Sequence, residues 1–188
     1  MQRRVDTLRP RERFLIVCEG EKTEPNYFRG FRVPKEIVEI VGLGANTVGI
    51  VKEAIRRDAE EGYDQVWCVF DRDSFPANNF NDALNLARKS SIRVAYSNQC
   101  FELWYLLHFN YYHTAISRKD YINKLTKVLG YKYEKNSETA YDDLITRQSE
   151  AILNARRLLR EYSPAKPLTD DPSTTVHLLV QQLNRFLT

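Results

Sequence analysis

Phe14-Leu15-Ile16-Val17-Cys18-Glu19-Gly20 and, further along the chain, Val66-Trp67-Cys68-Val69-Phe70-Asp71-Arg72-Asp73 are short runs of β-forming apolar residues that stop at acidic ones. A strand buried on both faces of a parallel sheet reads as such a near-continuous run, and its chemistry sits where the strand ends. Glu19, Asp71 and Asp73 are therefore the residues to explain.

Around these two runs the chain alternates. Pro25-Asn26-Tyr27-Phe28 has the form of a first helical turn, and residues 36–41 form a β-branched run closed by Gly42-Leu43-Gly44. Residues 46–61 carry Val48, Val51, Ala54 and Ile55 at helical spacing before Gly62, residues 63–70 form a strand, residues 80–90 a helix and residues 92–97 a fourth strand. This β-α-β-α-β-α-β order predicts an α/β fold with a mostly parallel four-stranded sheet flanked by helices. Residues 100–110 read as a buried helix, completing a core over 14–110. Beyond it, 111–188 show no strand pattern, only helical patterns around 118–129, 139–162 and 173–186. A helical extension packed on the core is expected.

With 188 residues and 43% hydrophobic content the chain can bury one good core but not two catalytic domains. Its net charge of +3 is mild, so any nucleic-acid footprint has to come from clustering. Arg3, Arg4, Arg9, Arg11 and Arg13 make residues 1–13 a basic arm, either a nucleic-acid contact or a solvated tail. Cys18, Cys68 and Cys100 are dispersed, without a zinc pattern or a disulfide framework, and no apolar run approaches the ~18 residues of a membrane span. A soluble, cytoplasmic protein with no membrane partner is expected.

In an open parallel sheet, ligands bind beyond the carboxyl ends of the strands, where the strand order reverses. Glu19, Asp71 and Asp73 should meet at that edge. Two carboxylates ~4 Å apart repel by about 4 kcal/mol at an effective dielectric of 20, so a cation belongs among them. Oxygen ligands of this kind suit Mg²⁺, with Mn²⁺ as a substitute, better than zinc. The plain alternative is that Asp71 and Asp73 only cap the following turn.

At these residues the chain resembles the Toprim superfamily, whose pattern is a strand ending in Glu-Gly and a later strand ending in Asp-x-Asp. More narrowly, the stretches 15–28, Cys100-Phe101-Glu102-Leu103-Trp104 with Leu107-His108-Phe109, and Pro172-Ser173-Thr174-Thr175-Val176-His177 resemble RloB-type proteins. The resemblance implies an acidic cluster that holds Mg²⁺ at a phosphodiester, a role in anti-phage defence and a partner ATPase. Topoisomerases need a mobile tyrosine domain and primases a zinc module, for which this chain has neither length nor pattern. A nuclease acting on RNA, including tRNA, or on DNA remains. The rival reading is a non-catalytic nucleic-acid-binding or regulatory subunit of a defence ATPase complex, docked through Phe101, Trp104 and Tyr105. The oligomeric state stays open, a homodimer included.

Many Toprim proteins carry a further acid after Asp-x-Asp, where this chain has Ser74-Phe75-Pro76, so another ligand must come from Glu24 or Glu102. Glu24 either joins the site or only favours a helix N-terminus. Glu102 lies in the most apolar stretch of the chain, where a carboxylate is costly unless coordinated or paired with Arg93 or another basic residue. The expected mechanism has Asp71 and Asp73 hold the metal while Glu19 acts as general base or as a ligand. Lys22, Arg72, Arg156 and Arg157 are the candidate nucleic-acid contacts; Arg147 and Arg160 share the helical segment of the last two. Each also reads as a plain surface residue. Asp171-Pro172 reads as a capped helix start, with free N–H groups that either serve only the cap or also face a phosphate.

Overall fold

A computed structural model describes residues 12–72 and 76–187. Strand β1 (Phe14–Cys18) is followed by α1 (Thr23–Arg29), β2 (Val38–Gly42), α2 (Thr47–Glu61), β3 (Gln65–Asp71), α3 (Ala77–Lys89) and β4 (Arg93–Asn98). These four strands are parallel, and β5 (Ser173–Thr174) adds an antiparallel edge, giving the order β2-β1-β3-β4-β5. The order reverses between β1 and β3, so the crevice beyond their carboxyl ends is where a ligand site belongs. No helix among the described residues is long and apolar enough to cross a membrane.

β1 shows why its sequence is apolar at every position. All five side chains are fully buried, and they alternate between two cores. Leu15 and Val17 join Ile50, Val51 and Ala54 of α2 and Phe80, Ala83 and Ala87 of α3 on one face. Phe14, Ile16 and Cys18 face the other way, into a larger core built from α1, α4 (Glu102–Leu106), α5 (Arg118–Leu129), α6 (Ala140–Leu144), α7 (Gln148–Arg160) and α8 (Val176–Leu183). The C-terminal helices thus complete the second face of the sheet.

Several expectations need correction. The sheet has five strands, not four, because Ser173 and Thr174 pair with Asn98 and Ser97. The helix expected from residue 173 begins at Val176, and Pro172 precedes a strand instead of opening that helix. The polar groups there are used within the protein: Thr174 Oγ1 donates to Tyr96 O at 3.0 Å and accepts from Val176 N at 3.3 Å. They do not present a phosphate site. The helix expected over 100–110 shortens to α4, and that over 139–162 is broken by a 3-10 turn at Ile145–Arg147. Phe101, Trp104 and Tyr105 lie in the core, at most 2% exposed, which removes them as a docking surface.

Candidate active site

The β1–β3 ladder continues past the last residue of β1: Glu19 N donates to Val69 O at 2.8 Å, which brings Glu19 to the sheet edge. Its carboxylate then clasps the neighbouring elements. Oε2 accepts from Asp71 N at 2.9 Å, and Oε1 accepts from Thr47 Oγ1 at 3.4 Å. Thr47 is placed by the start of α2, where the Asn46 side chain accepts from Gly49 N at 2.9 Å and so caps the helix. Two strand ends and a helix N-terminus therefore converge on one carboxylate.

Three more acids share this cleft, whose volume is about 440 Å³. Glu24, in the first turn of α1, is 6% exposed and folds back over the Gly20 backbone. Asp71 closes β3. Glu102, the first residue of α4, is 3% exposed and accepts from Tyr133 OH at 3.3 Å. Two cations line the same cleft: Arg118 Nη2 lies 3.4 Å from Asp71 Oδ2, and Lys135 Nζ lies 3.7 Å from Glu102 Oε1.

Burial and the crowding of like charge show in the titration of the acids. Burial, and then the charges of Glu102 and Glu19, push Glu24 up to about 7, against the opposing pull of its own amide and that of Gly20. Asp71 is likewise pushed well above the usual carboxylate range by burial and then by Glu24 and Glu102, with Arg118 opposing. Carboxyls that resist ionising because they are buried and face other acids would be relieved by positive charge, and an all-oxygen donor set fits a hard divalent cation. Among the described residues no three acidic, histidine or cysteine side chains stand close enough to hold a metal ion without moving.

Glu19, Glu24, Asp71 and Glu102 are thus brought together from three separate stretches of sequence. Asp73 lies outside the described residues, as do residues 1–11 of the basic arm; Arg13 donates to Glu61 O and covers the Tyr63 ring. Lys22 is exposed at the start of α1 and does not line the cleft. Arg72 Nε donates to Leu168 O at 3.3 Å, toward the segment before β5. Arg156 and Arg157 lie exposed on α7, Arg157 3.8 Å over the Tyr111 ring, and neither lines the cleft. Arg93 donates to Gln65 Oε1, so Glu102 meets Lys135 and Tyr133 instead.

Sequence reasoning missed Arg118, Tyr133 and Lys135. Arg118 left one trace: it is the first residue of α5 after the Ser117 cap, where a positive charge opposes the helix dipole. Lys119 shares that placement without lining the cleft, so it does not single Arg118 out. Lys135, in a polar loop, left none.

The family model described as RloB-like protein matches residues 14–183, and the chain belongs to that family. Nothing matches significantly among curated proteins or among solved structures.

Proposed function

We propose that this RloB-like chain is a metal-dependent, Toprim-type nuclease whose active site is the cleft beyond β1 and β3. One observation carries the reading: Glu19, Glu24, Asp71 and Glu102 share a single cleft at the reversal of strand order, where burial and one another's charge raise the pKa of Glu24 and Asp71. Glu24, Asp71 and Glu102, with Asp73, would hold Mg²⁺, or Mn²⁺ in its place. The ion supplies neutralisation of charge on a phosphodiester in the transition state. Glu19 is held by Asp71 N–H and Thr47 Oγ1, which leaves its carboxylate oriented to take a proton from the attacking water.

The substrate is a phosphodiester of RNA or DNA. The same reading makes the chain an effector of anti-phage defence working with a partner ATPase, which rests on the resemblance of its motifs. The test is cleavage of end-labelled RNA and DNA oligonucleotides with Mg²⁺, with Mn²⁺ and with chelator, by wild type and Asp71→Asn, alone and with the co-expressed ATPase. Cutting by wild type that stops with chelator and falls at least about 100-fold in Asp71→Asn is expected, the scale of an interaction made in the transition state. Tight, salt-sensitive binding without cutting under every condition would make it a non-catalytic binding subunit.

A further inference from the structure

The two cations of the cleft are the groups that the mechanism above leaves unused. Both come from outside the β-α-β core and reach across to its acids. Arg118 Nη2 stands 3.4 Å from Asp71 Oδ2 and 3.2 Å from Gln99 O. Lys135 Nζ stands 3.7 Å from Glu102 Oε1. Charge-assisted hydrogen bonds close to about 2.7–2.9 Å, so these two contacts are longer than a closed ion pair. The side chains of Arg118 and Lys135 are 40% and 48% exposed, whereas those of Asp71 and Glu102 are only 16% and 3% exposed.

The backbone beneath Lys135, by contrast, is fastened. Thr23 Oγ1 donates to Lys135 O at 2.6 Å and Asn26 Nδ2 to Asn136 O at 3.3 Å, which ties the loop to the helix that carries Glu24. A fixed backbone that bears a half-exposed ammonium on a long stem over a buried acid lets the charge be redirected without moving the loop. Arg118 has a similar arrangement, anchored at a helix start that its own charge disfavours.

Among the described residues, four carboxyls that line the cleft face these two cations, so full ionisation of the acids would leave it two positive charges short of neutrality. A divalent cation held by these acids would supply that deficit and relieve Asp71 and Glu102 of their need for side-chain partners. Arg118 and Lys135 would then face a cleft whose incoming ligand is an anion.

We propose that Arg118 and Lys135 are paired phosphate-binding residues that rest on Asp71 and Glu102 until a divalent cation displaces them onto the substrate backbone. The inference rests on the nuclease reading, and it adds two contacts and an order of events: cation first, phosphate second. Before the cation arrives the two side chains compete with it. After it arrives they serve the phosphate.

The test uses Arg118→Met, Lys135→Met and the double variant of the full chain, with folding checked by circular dichroism. Mn²⁺ affinity is read by calorimetry, and binding of a fluorescent single-stranded oligonucleotide is read in Ca²⁺ to suppress cutting. Removing the competing charges should tighten Mn²⁺ binding by about tenfold in the double variant. Oligonucleotide binding should weaken in each variant, and the slope of log affinity against log salt should fall by about 0.7 for each lost phosphate contact. Arg118→Lys should recover most of that slope.

Unchanged oligonucleotide affinity and salt slope in both single variants would overturn the proposal. So would weaker Mn²⁺ binding in a folded double variant, since that would make the cations supports of the acids. A wild type that binds Mn²⁺ and oligonucleotide while the variants match it sinks this inference alone. A wild type that binds neither sinks the nuclease reading as well.

Discussion

Glu24 and Asp71 make the acid cluster measurable without any substrate. Glu24 rises from 4.5 to about 7, and one pKa unit corresponds to about 1.4 kcal/mol, so its protonated form favours the fold by about 3 kcal/mol. Because the folded value lies above the unfolded one, this stability is fully present below pH ~4.5 and is lost as pH rises through ~7. The buried His108 and His177, lowered to about 4, act in the opposite direction and favour the higher pH, so the Glu24 share is read by comparison with a variant. Glu24→Gln, which cannot ionise, should gain melting temperature over metal-free wild type at pH 8 relative to pH 5; the same difference from wild type at both pH values would clear Glu24 of the effect. Asp71→Asn relieves repulsion from Glu24 and Glu102, so its metal-free melting temperature should rise by about 2–4 °C per kcal/mol gained. It should also lose the stabilisation by Mg²⁺, about 2.7 kcal/mol for wild type at ~100 times the dissociation constant. A less stable Asp71→Asn with an intact Mg²⁺ response would make the cluster structural.

The loop after β1 is held at its height by a close approach of backbone. A Cβ built on Gly42, the last residue of β2, would stand 2.6 Å from Gly20 O, 2.8 Å from Pro25 Cγ and 2.9 Å from Glu21 Cα. Two of those three atoms are backbone, so the loop itself must give way. Gly42→Ala should cost about 1–3 kcal/mol, the range of overpacking, and displace the loop between Glu19 and Glu24. Chemical denaturation measures the first effect. A drop in Mn²⁺ affinity measures the second, and a variant with wild-type values for both would mean that the loop yields freely.

At the scale of the whole molecule, the chain from α5 onward closes one face of the sheet. Tyr121 and Leu125 of α5, Leu158 of α7 and Val176, Leu179, Val180 and Leu183 of α8 are fully buried in the core that contains Phe14, Ile16 and Trp104. A chain ending at Asn110 would expose that face and lose β5, Arg118 and Lys135 together. It should show no cooperative thermal transition and should bind a hydrophobic dye. A cooperative transition in that fragment would show that the first four strands and their helices fold alone.

The central strands, the helices between them and the acids at the strand ends were legible in sequence because their signals are local. A strand buried on both faces must be apolar at each position, as Phe14–Cys18 is, and a helix such as Arg118–Leu129 is bracketed by the Ser117 cap and the left-handed Gly130. Glu102 was legible because a carboxylate in an apolar run demands compensation. The two-residue β5 carries no such pattern. It exists because Ser173 and Thr174 meet β4 across the fold, as in the 2.9 Å contact between Ser97 Oγ and Thr174 Oγ1, 77 positions apart in sequence. Arg118 and Lys135 reached the cleft in the same way. Composition and periodicity determine which segments are strands, which are helices and which residues are acidic at their ends; only packing decides which distant cations face those acids, because that pairing is set by long-range contacts that no local window contains.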